Sequence, residues 1–253
     1  MTKKLVPLVL IGLALSLSKC SDEESPRYPA EPYIEFISAK FIETPGVTEP
    51  DKIDLTFYYR DGDSDLGLPY STEYTSDPFH FTSFFRKSDG SPLHADITLS
   101  GEYPFDDLIQ FTDRESPPFD TIPSTNQYDC RYWYYHEGKY LYHQRNENYF
   151  NLIVKFLYSN DGLNFTELDW RELVCHDFYA RFPDLSGARK NSTISSGPFN
   201  IQLKNNLEGK ITHTMLSTGF KALFGGKKLK ISLQIKDRAL NRSNVIVTDI
   251  LEL

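Results

Sequence analysis

Basic charge is what this sequence has too little of to hold a nucleic acid. Its 27 Lys and Arg are outnumbered by 35 Asp and Glu, a net charge of −8, whereas phosphate neutralisation needs a basic face. The short basic run "GGKKLK" alternates like the outer face of a strand. No apolar run reaches the roughly 20 residues a spanning helix requires; "LVPLVLIGLALSL", at 5–17, falls short of it. No His-Glu-x-x-His, Gly-x-Ser-x-Gly or P-loop pattern occurs, and the histidines at 80, 94, 136, 143, 176 and 213 are dispersed. Cys175 and His176 are adjacent, but neighbours in a strand point to opposite faces, so they do not make a nucleophile and its base. The sequence therefore carries no catalytic constellation. A hydrolase would need carboxylates that only the fold brings together.

The N-terminus reads as an address. "MTKK" is a basic leader and residues 5–17 an apolar segment of signal-peptide length. "LSKC" resembles a bacterial lipobox, with Leu17 three residues before Cys20, although Lys19 stands where a small residue is usual. "CSDEESP" is similar to the serine-plus-acidic export signal of Bacteroidetes surface lipoproteins. The resemblance implies a signal peptide at 1–19, lipidation of Cys20, and an outer-membrane protein exposed at the cell surface and held by acyl chains. Residues 20–31 are then an acidic tether, rich in Ser and Pro and without periodicity. With Cys20 used by lipid, Cys130 and Cys175 remain, an even number in an oxidising compartment. A disulfide between them and two separate buried thiols are the alternatives. The bond would contribute on the order of 3 to 4 kcal/mol.

Residues 32–253 read as one mainly β domain. "YIEFISAKFIE" and "IDLTFYYRDG" alternate in hydrophobicity, the second with Ile53, Leu55, Phe57 and Tyr59 on one face. "FHFTSFFRKSDGSPLHADITLSG" predicts a hairpin around Ser-Asp-Gly, and "CRYWYYHEGKYLYHQ" another turning at Glu137 and Gly138. "NYFNLIVKFLYSNDG", "FNIQLKNN", "KLKISLQI" and "VIVTDILEL" supply further strands, while "WRELVCHDFYARF" predicts a short helix. The proline- and aspartate-rich stretch "YPFDDLIQFTDRESPPFDTIPSTNQYD" suits a surface excursion. With 16 Tyr and 18 Phe against 2 Met, the chain predicts an antiparallel β-sandwich with a long insertion at about 100–195.

"YYRDGDSDLGL" together with "QIKDRALNRSNVIVTDILEL" resembles a group of Bacteroidetes lipoproteins that carry a D-G-D-x-D-L-G loop early and a D-R-A-x-N-x-S-N segment before the last strand. The matching parts cover roughly a quarter of the chain. The resemblance implies an immunoglobulin-like scaffold and a surface address, and no activity. On such a scaffold the two segments meet at one pole. Asp61, Asp63 and Asp65 have the alternate spacing by which calcium loops present carboxylates, and Asp237, Asn241 and Asn244 would complete the ligand set. The loop departs from an EF-hand, since Leu66 stands where the glycine belongs and Thr72 at the closing position. The alternative is that Arg60, Arg238 and Arg242 neutralise the acids while Asp and Asn side chains cap tight turns.

Within "YWYYHEGKYLYH", Tyr132, Trp133 and Tyr134 are candidates for stacking on sugar rings; cross-strand aromatic packing gives the same pattern. The function expected from these residues is a surface binding or accessory module for a glycan or an envelope protein. A hydrolase with its site in the insertion and a structural envelope protein are the alternatives.

Overall fold

The computed structural model describes residues 28–44, 49–69, 77–95, 105–251 and 253. The signal peptide, Cys20 and the tether as far as Arg27 lie outside the described residues. In chain order the strands are β1 (Tyr33–Ile42), β2 (Asp51–Arg60), β3 (Thr82–Phe85), β4 (Pro92–Ala95), β5 (Trp133–His136), β6 (Lys139–Arg145) and β7 (Leu152–Ser159). They continue with β8 (Thr166–Leu168), β9 (Thr193–Ser196), β10 (Phe199–Leu203), β11 (Glu208–Ser217), β12 (Lys228–Ile235) and β13 (Ile246–Val247). Two single-turn helices, α1 (Trp170–Val174) and α2 (Phe220–Phe224), interrupt them. The fold is mainly β.

Among the described residues the strands form three antiparallel sheets, ordered β1-β2-β11-β10-β9, β13-β12-β7-β8 and β4-β3-β6-β5. The first two enclose one core. Ile53, Leu55, Phe57 and Tyr59 of β2 face Leu229, Ile231, Leu233 and Ile235 of β12 within a single apolar cluster. Strict alternation on both strands produces this, because residues two apart share a face. Each such side chain contributes roughly 1.5 to 3 kcal/mol by leaving water.

Both helices exist to deliver aromatics to that core. Asp169 caps α1 by accepting the N–H groups of Arg171 and Glu172, and the helix stops where Cys175 turns left-handed at φ 58°. Its Trp170 meets the Phe156 ring edge-on at 5.2 Å. From α2, Phe220 and Phe224 lie one turn apart and stack on the same ring at 5.8 and 5.9 Å.

The insertion differs from its expected limits. The third sheet uses β3 to β6, which begin before residue 100, whereas β7, β8 and β9, inside the expected 100–195, belong to the two-sheet core. The reason is β7: "LIVKFLYS" is apolar on both faces because it is a central strand between β12 and β8. Nor is the proline-rich stretch an excursion. Short 3-10 turns at Phe105–Asp107, Phe111–Glu115 and Phe119–Thr121 fold it beneath the third sheet. There Leu108 joins Phe84 and Leu141 in one small cluster, while Ile109 and Ile122 join Trp133 in another.

The tether also ends earlier than expected. Tyr28 donates its hydroxyl to Glu208 at 3.1 Å, and the Arg60 guanidinium lies over its ring. Tyr28 is thus part of the folded body.

Candidate functional site

The aspartate pole forms where the loop after β2 meets the loop after β12. Leu66 bridges Asp237, and the Arg238 N–H donates to the Asp65 carbonyl at 3.3 Å. One carboxylate oxygen from each of Asp61, Asp63 and Asp65 lies within 4.8 Å of the others. Asp61 Oδ2 accepts the Asp65 N–H at 3.0 Å, and Asp65 Oδ2 accepts the Ala239 N–H at 3.1 Å. The Oδ1 atoms of both residues are buried without a partner. Burial, followed by the charges of Asp63 and Asp65, pushes Asp61 up to about 7; burial and then Asp237 raise Asp65. Burial also raises Asp237.

The expected ligand set is not assembled in full. Asp237 arrives, but Asn241 occupies both of its oxygens, through its backbone N–H at 2.8 Å and its side-chain amide at 2.9 Å. Asn244 is engaged elsewhere: it accepts the Ile34 N–H and donates to the Ile34 carbonyl, both at 2.9 Å. It extends the hydrogen bonding of β1. The arginines do not neutralise the acids either. Arg60 pairs with Glu35, Arg238 with Asp184 and Arg242 with Glu147.

The aromatic hairpin forms at Glu137 and Gly138, both at positive φ. Of the expected rings, Trp133 and Tyr134 line one wall of a cleft, each packed against a neighbour. Trp133 is 2% exposed and packs edge-on against Phe111 at 5.1 Å. Tyr134 packs edge-on against Phe84, and Tyr132 packs against the cluster around Trp133. The most exposed rings here are Tyr128 and Tyr135, 69% and 61% exposed, which flank the half-buried Tyr140 at 5.6 and 5.1 Å. They border a cleft of about 670 Å³ between the third sheet and the segment after α1, lined also by Arg145, His176 and Asp177.

Several ties hold this junction, among them ion pairs from Arg131 to Asp169 and Glu172 of the α1 region. Cys130 and Cys175 form a disulfide across it. Arg145 forms an ion pair with Asp177 and lies over the rings of Phe150, at 3.9 Å, and Tyr179, at 4.8 Å.

Sequence reasoning missed a third cluster, because its members are dispersed along the chain. Asp77 bridges His80 Nδ1 at 2.8 Å and His94 Nε2 at 3.3 Å. Ser83 Oγ bridges the remaining nitrogens, His80 Nε2 and His94 Nδ1, at 3.0 Å each. The rings lie 4.0 Å apart. Pairing of Ser83 with His94 in the β3–β4 register creates this arrangement. The hairpin was legible in the sequence, but its register was not. Burial and then the neighbouring His94 hold the His80 imidazole below its usual range.

No protein-family model, no curated protein and no solved structure matches the chain.

Proposed function

We propose that the chain is a cell-surface lipoprotein acting as a binding or accessory module for glycans, lipid-anchored at Cys20 to the outer membrane. The observation that carries this reading is the pair of exposed tyrosines, Tyr128 and Tyr135, flanking the half-buried Tyr140 beside a cleft whose wall also holds Trp133 and Tyr134. Large aromatic rings left in water beside a concave surface mark a ligand site, and flat apolar faces edged by hydroxyls suit sugar rings. An immunoglobulin-like scaffold and a structural calcium at Asp61, Asp63 and Asp65 belong to the same proposal. Two sheets around one core support the first, and the orphaned oxygens of Asp61 and Asp65 support the second.

The rival hydrolase reading has one specific observation behind it, the Ser83–His80–Asp77 chain of contacts. Two features weigh against it. Ser83 Oγ is shared with His94, and its backbone is held in ladders with β4 on one side and β6 on the other. No oxyanion donor is available from that strand segment.

Affinity electrophoresis through gels containing soluble polysaccharides tests the glycan reading. Retardation by at least one polysaccharide is expected, and Tyr135→Ala should weaken it about fivefold, the loss of about 1 kcal/mol of stacking. Unretarded migration in every gel, or a Tyr128→Ala/Tyr135→Ala variant that binds like the parent, would overturn it.

A further inference from the structure

From the contacts among Asp77, His80, Ser83 and His94 we infer that this cluster is a binding site for one divalent first-row transition ion, of which zinc is the probe. The ligands are Asp77, His80 Nδ1 and His94 Nε2, and Ser83 holds the imidazoles from behind. The inference is independent of the glycan reading, since these side chains lie outside the tyrosine set.

Counting hydrogens leaves a deficit that an added proton or a metal ion would fill, and the three ligand atoms lie within 4.8 Å of one another. Four nitrogen-to-oxygen contacts join the two imidazoles to Asp77 and Ser83. Two neutral imidazoles bring two N–H groups, the Ser83 hydroxyl brings one O–H, and an ionised carboxylate brings none. Three hydrogens cannot serve four contacts. Asn146 does not supply the fourth: its amide nitrogen is 3.3 Å from His80 Nδ1, but it donates to the carbonyls of Pro78 at 2.7 Å and His80 at 2.9 Å.

A metal ion removes the deficit. Both imidazole N–H groups then point at Ser83 Oγ, which accepts two. The lone pairs of His80 Nδ1 and His94 Nε2 turn toward an ion that also binds the Asp77 carboxylate. This is how metal-bound histidines are commonly oriented, by a hydrogen bond from the nitrogen remote from the ion. Zinc bonds of about 2.0 to 2.1 Å place tetrahedral ligands roughly 3.3 Å apart. The observed separations from Asp77 are 2.8 and 3.3 Å, and all three ligand atoms lie within 4.8 Å of one another. Two imidazoles and one carboxylate favour a transition ion over calcium. The Asp77 side chain is 66% exposed, which leaves the remaining coordination position to water or an external ligand.

The test is a zinc competition against a chromophoric chelator, on chelator-stripped full-length protein in excess calcium, which occupies sites built from oxygen alone. One zinc per folded chain is expected. Ser83→Ala should weaken it by about 10- to 100-fold, and Asp77→Asn and His94→Ala by more, while Asp120→Asn, at an exposed carboxylate outside the cluster, leaves it unchanged. Asp77 is exposed, so its variant keeps the fold, as an unchanged melting temperature without metal will show. A folded parent that retains no zinc, so that an additional proton and not a metal completes the set, overturns the inference. Equal retention by Asp77→Asn and His94→Ala does so too.

Discussion

Asp61 and Asp65 are locked to one another through a backbone N–H, and each keeps a second carboxylate oxygen buried without a partner. Asp65 in turn accepts the Ala239 N–H of the opposite loop. Two segments of sequence some 170 residues apart are thereby joined by groups that repel each other. Oxygen orphaned in a low-dielectric site is costly unless a cation or a proton meets it.

Stability should report which of the two is present. Asp61 is pushed up to about 7 by burial and its acidic neighbours, against about 4 in an unfolded chain. A carboxyl raised in this way holds its proton more tightly when folded. Its stabilising contribution is therefore complete below about pH 4 and is lost as the pH climbs toward 7. Chelator-treated protein is expected to lose melting temperature across that window. Added calcium should flatten the slope, and so should Asp61→Asn. Superimposable melts with chelator and with calcium at neutral pH would remove calcium from the pole.

The glycines of the "DGDSDLG" loop have a structural reason that needs no ion. Gly67 sits at φ +87°, and a Cβ there would fall 2.0 Å from the Pro183 carbonyl oxygen. Gly67→Ala should therefore cost more than the roughly 1 to 2 kcal/mol of a left-handed non-glycine residue alone. Gly90 is the control: it has φ +72° with nothing within 4 Å of an added Cβ. Chemical denaturation of both variants separates backbone strain from collision, and equal losses would show that the Pro183 contact relaxes.

Strand identity was legible where one face alone is buried. Ile53, Leu55, Phe57 and Tyr59 announce β2, and Leu229 to Ile235 announce β12, because period two survives any detail of packing. Which face of a short strand is covered was not legible. Trp133 is hidden by Phe111, which arrives on a 3-10 turn some twenty residues upstream, so the most exposed rings are Tyr128 and Tyr135. The helix α2 escaped notice because a single turn of five residues, with Phe220 and Phe224 buried, is too short to show a stripe. At the pole, the meeting of the two loops followed from the expected sandwich. The diversion of Asn244 to Ile34 depends on strand alignment that no spacing encodes.

Ser83 should not behave as a nucleophile despite its place beside His80. It is 9% exposed, and its hydroxyl lies between two imidazoles. A fluorophosphonate probe is expected to leave the folded protein unlabelled at pH 8. Labelling that disappears in Ser83→Ala would restore the hydrolase reading.

The disulfide is expected to hold the third sheet to the core. Cys130 lies before β5 and Cys175 ends α1, and the loop they close spans 45 residues. Constraint of the unfolded chain by such a loop is worth on the order of 4 kcal/mol. At about 2 to 4 °C per kcal/mol for a chain of this size, Cys130→Ala/Cys175→Ala should melt roughly 10 °C lower. A second tie, Arg145 with Asp177, is partly buried and clamped by the Phe150 and Tyr179 rings. Breaking such a pair costs about 3 to 5 kcal/mol. Adding Arg145→Ala to the cysteine variant should therefore let β3 and β6 exchange amide hydrogens well before β2 and β12, as a separate unfolding unit. If exchange in all four strands accelerates together, the third sheet is not a separate unfolding unit and these two ties are not what holds it.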